Sequence, residues 1–129
     1  MSAGRSPFQY AALQIVPRVE RGEAVNAGVV LFCRPRRFLG ARTHLDDALL
    51  AALAPECDLA EVRALLVTIE RIADGSPDGG PIAALPASER FHWLVAPAST
   101  IVQAGPVHTG LTADPPGELD RLFTRLVER

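Results

Sequence analysis

The chain has 129 residues, of which 48% are hydrophobic and 22% charged, and its formal net charge is −2. This length predicts a single domain over residues 1–129. The slightly acidic balance disfavours nucleic-acid binding, which needs many phosphate-neutralising cations. The sequence has neither an apolar run near the ~18 residues of a membrane span nor the apolar segment of a signal peptide. A cytoplasmic protein without membrane association is therefore predicted.

Missing residue types exclude several kinds of chemistry. All thirteen basic residues are Arg. A chain without Lys cannot form a lysine Schiff base and has no P-loop lysine. The two cysteines, Cys33 and Cys57, show no zinc-binding spacing, and without an export signal both are expected to be reduced thiols. The sequence therefore predicts no metal site and no cofactor.

Three strands are predicted in the first third of the chain, over residues 8–16, 25–33 and 37–43. Pro17 ends the first strand, because proline cannot donate to a β-ladder. The continuous apolar run 29–33 favours a strand buried on both faces. The short connections between these segments predict an antiparallel meander.

Helices are predicted in the middle and at the end of the chain. Asp46 or Asp47 begins a short helix that ends at Ala54. A longer helix over residues 58–73 begins with a pattern typical of a capping box and carries apolar residues at helical spacing. A last helix begins near Asp114 and presents another apolar stripe.

The segments between these helices are less regular. Residues 74–87 are rich in proline and glycine and are predicted to form a flexible surface loop, either a lid or a tether. Residues 88–96 hold Trp93, which its apolar neighbours place in the core. A short strand is predicted over residues 100–103, and His108 is predicted to lie in a loop between turn-forming residues. The whole pattern indicates an α+β fold, in which an antiparallel sheet of three to four strands packs against helices that include the C-terminal one.

Six polar residues form the candidate binding set: Arg18, Glu23, Asn26, Ser99, Gln103 and His108. Asn26 is the single asparagine of the chain. A histidine at a surface can act as an acid, a base or a ligand near neutral pH. A structural interpretation competes with this one. Glu23 can pair with Arg18 or Arg21, Asn26 can bond the backbone beside the turn, and the imidazole of His108 can fix its loop.

Two long stretches, RVERGEAVNAGVVLF and FHWLVAPASTIVQAGPVHTGLTADP, resemble a bacterial family known as domain of unknown function 3037. The shared patterns are GE-x-V-N-x-G-V-V-L and W-L-x-A-P-x-S, the latter followed by V-Q and then by H-x-G. The residues that match them here are Glu23, Asn26, Gly28, Trp93, Pro97, Ser99, Gln103, His108 and Gly110. The family often has Ser where this chain has Gly105, so a role that needs that hydroxyl is in doubt here.

The resemblance implies a small, soluble, intracellular protein and assigns no activity. It also implies a protein partner, because some family members are encoded beside kinase-like proteins of the HipA type. We therefore expect a non-enzymatic protein-interaction or regulatory module, with no catalytic residue. The alternative is a small ligand-binding domain or enzyme with a polar site around His108, Glu23, Asn26 and Gln103. A homodimer is left open, and so is a weaker option in which the Arg34–Arg37 tip contacts phosphate.

Overall fold

A computed structural model describes residues 4–98 and 100–128 of the chain. Its strands are β1 (Ser6–Ile15), β2 (Val25–Cys33), β3 (Phe38–Thr43), β4 (Val102–Ala104) and β5 (His108–Thr112). Its α-helices are α1 (Asp47–Leu53), α2 (Leu59–Asp74), α3 (Ala87–Val95) and α4 (Pro115–Leu126). Together they confirm the predicted α+β class.

The sheet is antiparallel, with the order β3-β2-β1-β4, and β5 also pairs with β1. β4 and β5 lie one after the other along the same edge of β1, so the sheet is four strands wide. Between them three residues, 105–107, oppose the two residues 11 and 12 of β1. This extra residue makes a bulge, across which the N–H of Gly105 still bonds the carbonyl of Ala12 at 2.8 Å. The N-terminal meander of the prediction is thus confirmed.

The sheet lies between helices on both faces. Val30 and Phe32 of β2 pack toward α2 and α3, in a core that includes Ile72 and Phe91. Other residues of β2 pack against α4 on the opposite face; they are Val29, Leu31 and Cys33. A third core at the end of the sheet joins α1 and α2 through Leu50 and Val62. The expectation that the 29–33 run is buried on both faces is confirmed.

Side-chain caps begin α1, α2 and α4 where the sequence predicts these helices to start. Asp46 accepts a hydrogen bond from the N–H of Leu49, and Asp58 accepts one from the N–H of Glu61. Asp114 accepts one from the N–H of Gly117 at the start of α4. α2 ends at Gly75, which adopts a left-handed conformation with φ of 71°.

Two predictions of local structure need correction. His108 begins strand β5 and does not lie in a loop, because residues 108–112 pair with residues 6–10 of β1. Trp93 is 49% exposed and is not a core residue. In addition, the segment predicted as a flexible loop contains two short 3₁₀ helices, Pro77–Gly79 and Pro81–Ala84.

Candidate functional site

The connection between β1 and β2 carries an exposed cluster of charges. Arg18 binds Glu56 with an Nη2–Oε2 distance of 2.7 Å, and Arg21 binds Glu23 with an Nε–Oε1 distance of 2.8 Å. The hydrogen bond from Arg21 lowers the pKa of Glu23. The pKa of Glu56 is lowered by the N–H of its own backbone and then by Arg18. Two of the candidate residues, Arg18 and Glu23, are therefore engaged in separate surface ion pairs.

Cys57 follows this cluster and gives a pH-dependent prediction. Burial raises the pKa of its thiol, and the neighbouring carboxylates of Glu56, Asp58 and Glu61 raise it further. We expect the alkylation rate of Cys57 by iodoacetamide to rise with a midpoint above the ordinary thiol pKa of about 8.5. Mass spectrometry reads this site because Cys33 is buried in the native protein. Glu56→Gln should lower the midpoint only slightly, since burial is the larger cause. A wild-type midpoint at or below the ordinary value would contradict the prediction.

Three amide side chains form a row across the sheet. Asn26 of β2 and Gln103 of β4 are the register partners of Gln14 on either side of β1. Residues directly opposite in a sheet point to the same face, so all three side chains share the face that α4 covers in part. Asn26 accepts a hydrogen bond from Gln14 and donates one to the carbonyl of Leu126, both at 3.1 Å. Gln103 donates to the carbonyl of Thr100 at 3.1 Å.

The bond from Asn26 to Leu126 fastens β2 to the end of α4. We expect Asn26→Ala to lower the free energy of unfolding by about 1–2 kcal/mol, because it removes two part-buried hydrogen bonds. Urea unfolding followed by circular dichroism measures this loss. Gln103→Ala is the matched control, and its effect should be smaller because the hydrogen bond that it removes is exposed. If Asn26→Ala were as stable as the wild type, the two hydrogen bonds of Asn26 would not be what stabilises the contact between β2 and α4.

His108 lies on the same face, at the other end of the β1 edge. It is the register partner of Tyr10, and the two rings are 5.3 Å apart between centroids. Gln103 and His108 are separated along this edge by the bulge at residues 105–107. The sheet thus brings Asn26 and Gln103 into one row and places His108 beside Tyr10, while Arg18 and Glu23 belong to the charged connection. Ser99 lies outside the described residues.

An apolar cleft, which the sequence did not predict, lies between α2, the end of α3 and β4. Its volume is about 270 Å³, and its walls include Leu65 and Ile69 of α2, Trp93 of α3 and Ala104 of β4. The exposure of Trp93 could have been predicted from the spacing of apolar residues in α3. Phe91 and Leu94 are buried at a spacing of three residues, so the residue between them at 93 points to another side of the helix.

Within residues 4–98 and 100–128, no group of three or more His, Cys, Asp or Glu side chains is placed to hold a metal ion. No helix of the same residues is long and apolar enough to cross a membrane.

The Arg34–Arg37 tip is exposed, and Arg36 there donates hydrogen bonds to the Ser6 hydroxyl and the Gly4 carbonyl.

The chain matches a known protein family over most of its length. The model of a family described as "Protein of unknown function (DUF3037)" matches residues 10–127, which is nearly the whole chain. No curated protein and no solved structure matches the chain significantly.

Proposed function

Since the chain belongs to DUF3037, a family of proteins of unknown function, we propose its role from its geometry: it is a non-enzymatic interaction module that binds an extended segment of a partner protein. The binding surface is the outer edge of β5, and the segment adds a strand to the sheet there. The observation that carries the proposal is that β5 is an edge strand without Lys, Arg, Asp or Glu, whose outer backbone groups pair with no other strand among the described residues.

The direction of the free backbone groups follows from Pro7. Pro7 is the register partner of Leu111, and proline has no N–H. The hydrogen-bonded pairs between β1 and β5 are therefore those that flank it, such as Phe8 with Gly110. Because backbone groups alternate in direction along a strand, the N–H and C=O groups of Thr109 and Leu111 point away from β1. No strand is paired with this side of β5 among the described residues.

The composition of β5 supports a binding role for this edge. Edge strands of soluble proteins are usually protected by Lys, by other charges or by Pro. The five residues of β5 include no Lys, Arg, Asp, Glu or Pro, and Leu111 is 53% exposed. Protection is limited to the bulge and Pro106, which precede the strand. An open edge of this kind, without Lys, Arg, Asp, Glu or Pro, is a template for a further strand.

A separate protein segment fits this edge better than a second copy of the chain. In an antiparallel pair of two β5 strands centred on Gly110, Thr109 of each copy would face Leu111 of the other. The residues of the second copy that would then face β4 belong to its α4, which begins at Pro115. A helix cannot continue a β-ladder, so β4 would stay uncovered. An extended segment of about ten residues can follow both β5 and β4.

Selection of peptides tests the proposal. A phage library of random peptides of about a dozen residues is selected on the wild-type protein, and the binders are measured on two variants. Thr109→Pro removes an outward N–H without removing a bond to β1, and Thr109→Ala keeps that N–H. We expect Thr109→Pro to weaken binding by at least about tenfold and Thr109→Ala to leave it nearly unchanged, with both variants folded by circular dichroism.

Two results would overturn the proposal. The first is peptide binding that Thr109→Pro does not weaken. The second is a stable dimer in analytical ultracentrifugation that Thr109→Pro dissociates, because it would make a second copy the occupant of the edge. The first natural partner to measure with the same variants is a kinase-like protein of the HipA type, which the family resemblance implies.

The alternative, a ligand-binding domain or enzyme with a polar site, has weaker support. Glu23 is engaged with Arg21, and Asn26 is engaged with Gln14 and Leu126. A polar ligand at this site would have to compete with those bonds. Retention of partner binding by His108→Ala would agree with the module, since the role of the edge depends on backbone groups.

A further inference from the structure

The apolar cleft opens beside the same edge of the sheet. β4 supplies Val102 and Ala104 to its wall, and β4 continues along the β1 edge into β5. A segment that pairs with β5 and continues past Pro106 therefore reaches the mouth of the cleft. Its side chains alternate between the two faces of the sheet, and those on the α2 and α3 face point toward the cleft.

The lining selects for an uncharged occupant. None of the described lining residues is Asp, Glu or Arg, and the chain has no Lys. Most of the wall is aliphatic, and Trp93 adds a large ring that is half exposed to solvent. A charged group would lose its hydration here without gaining a partner charge. Apolar surface, by contrast, gains free energy when it leaves water.

The volume of the cleft favours a single side chain over a larger ligand as its occupant. A cavity of about 150 Å³ lined by apolar side chains is large enough for benzene. Sites for drug-sized ligands and cofactors are usually about 300–1,000 Å³. The cleft, at about 270 Å³, has room for one large aromatic or aliphatic side chain and is small for a nucleotide cofactor.

We infer that this cleft receives a bulky apolar side chain of the partner segment, and that Trp93 helps to determine which side chain fits. The inference rests on the proposed function, since the segment is the one that pairs with β5. The backbone of β5 then provides affinity without regard to sequence, and the cleft provides the specificity. Partners are expected to carry a Leu, Met, Phe or Trp at one fixed position of the segment.

Nuclear magnetic resonance provides the first test, because Trp93 is the only tryptophan and gives a single indole N–H signal. The probes are N-acetyl-leucinamide and N-acetyl-phenylalaninamide, and N-acetyl-glycinamide is the control. We expect the first two to shift the signal at millimolar concentration and the third to leave it in place. Thr68→Phe should abolish the shift by filling the cleft. Thr68 is an exposed lining residue whose hydroxyl bonds only Ala64 of its own helix, so the variant should remain folded.

The matched control is Thr124→Phe, an exposed threonine of α4 on the other side of the sheet, which should keep the wild-type response. The inference is overturned if no apolar amide shifts the signal, or if Thr68→Phe leaves the shift unchanged. The selected peptides separate the two proposals. Binding that Thr109→Pro removes and Thr68→Phe or Trp93→Ala leaves intact contradicts the cleft and supports the edge. Binding that Thr68→Phe removes and Thr109→Pro leaves intact contradicts the edge, and it overturns the inference that the segment in the cleft also pairs with β5.

Discussion

Gly28→Ala is expected to lower the free energy of unfolding by about 1–3 kcal/mol, and Gly28→Val by more, because the strands leave no room for a side chain there. A Cβ at this position would lie 2.7 Å from the carbonyl oxygen of Arg42 and 3.0 Å from Cγ2 of Thr43. The first contact is with backbone of the paired strand β3, which cannot move without breaking the ladder. The strands would have to separate locally, and the core beneath them would loosen.

Urea unfolding monitored by circular dichroism measures the effect of Gly28→Ala, and Gly105→Ala is its matched control. At Gly105 the nearest atom to an added Cβ is the carbonyl oxygen of Ala12 at 3.7 Å, which is an ordinary contact. The Gly105 variant should therefore stay within about 0.5 kcal/mol of wild type. Equal losses at the two glycines would show that close packing is not the reason for Gly28.

Arg90→Ala is expected to lower the free energy of unfolding by about 2–3 kcal/mol, because one guanidinium donates hydrogen bonds to three backbone carbonyls. Its Nη1 donates to the carbonyls of Ile72 at 3.0 Å and Ala73 at 2.7 Å, and its Nε donates to that of Leu85 at 2.9 Å. The first two carbonyls belong to the last turn of α2, where the helix dipole favours a cation. The third carbonyl, that of Leu85, follows the second 3₁₀ helix, so Arg90 links this segment to the end of α2.

The control for Arg90→Ala is Arg71→Ala, an exposed cation in the last turn of the same helix. Arg71→Ala should lower the free energy of unfolding by no more than about 0.5 kcal/mol. Arg90→Lys should recover only part of the stability, since an ammonium group lacks the planar fork that serves three carbonyls. Full recovery by Lys would indicate that charge at the helix end, and not hydrogen-bond geometry, is the main contribution.

Local chemistry explains why much of the fold was predictable. The caps at Asp46, Asp58 and Asp114 depend on residues three positions apart, and the meander depends on short turns. β5 was missed because its pairing is not local. Residues 108–112 form a strand only because β1, about a hundred residues earlier in the chain, offers its free side. The short sequence HTGLT, which is flanked by turn residues, contains no pattern that predicts pairing with β1.

The candidate site was less predictable for the same reason. Asn26 is notable in the sequence as the single asparagine, but its partner Leu126 is far away in the chain and contributes a backbone carbonyl, which no sequence pattern marks. Arg90 was not singled out, because its three acceptors are also backbone groups. The cleft arises from residues of several elements, most of them apolar, and no pattern within one segment marks them as neighbours.

The position of β1 in the sheet also affects how the protein forms during synthesis. Tyr10 pairs with Leu31 on one side, but its partner on the other side, His108, is synthesised about a hundred residues after it. The first hairpin can form early, while the far side of β1 stays unpaired until β4 and β5 leave the ribosome. An incomplete chain thus exposes an apolar strand edge, which promotes aggregation. We expect chains truncated before residue 102 to depend on chaperones, and soluble, protease-resistant truncated chains would argue against this.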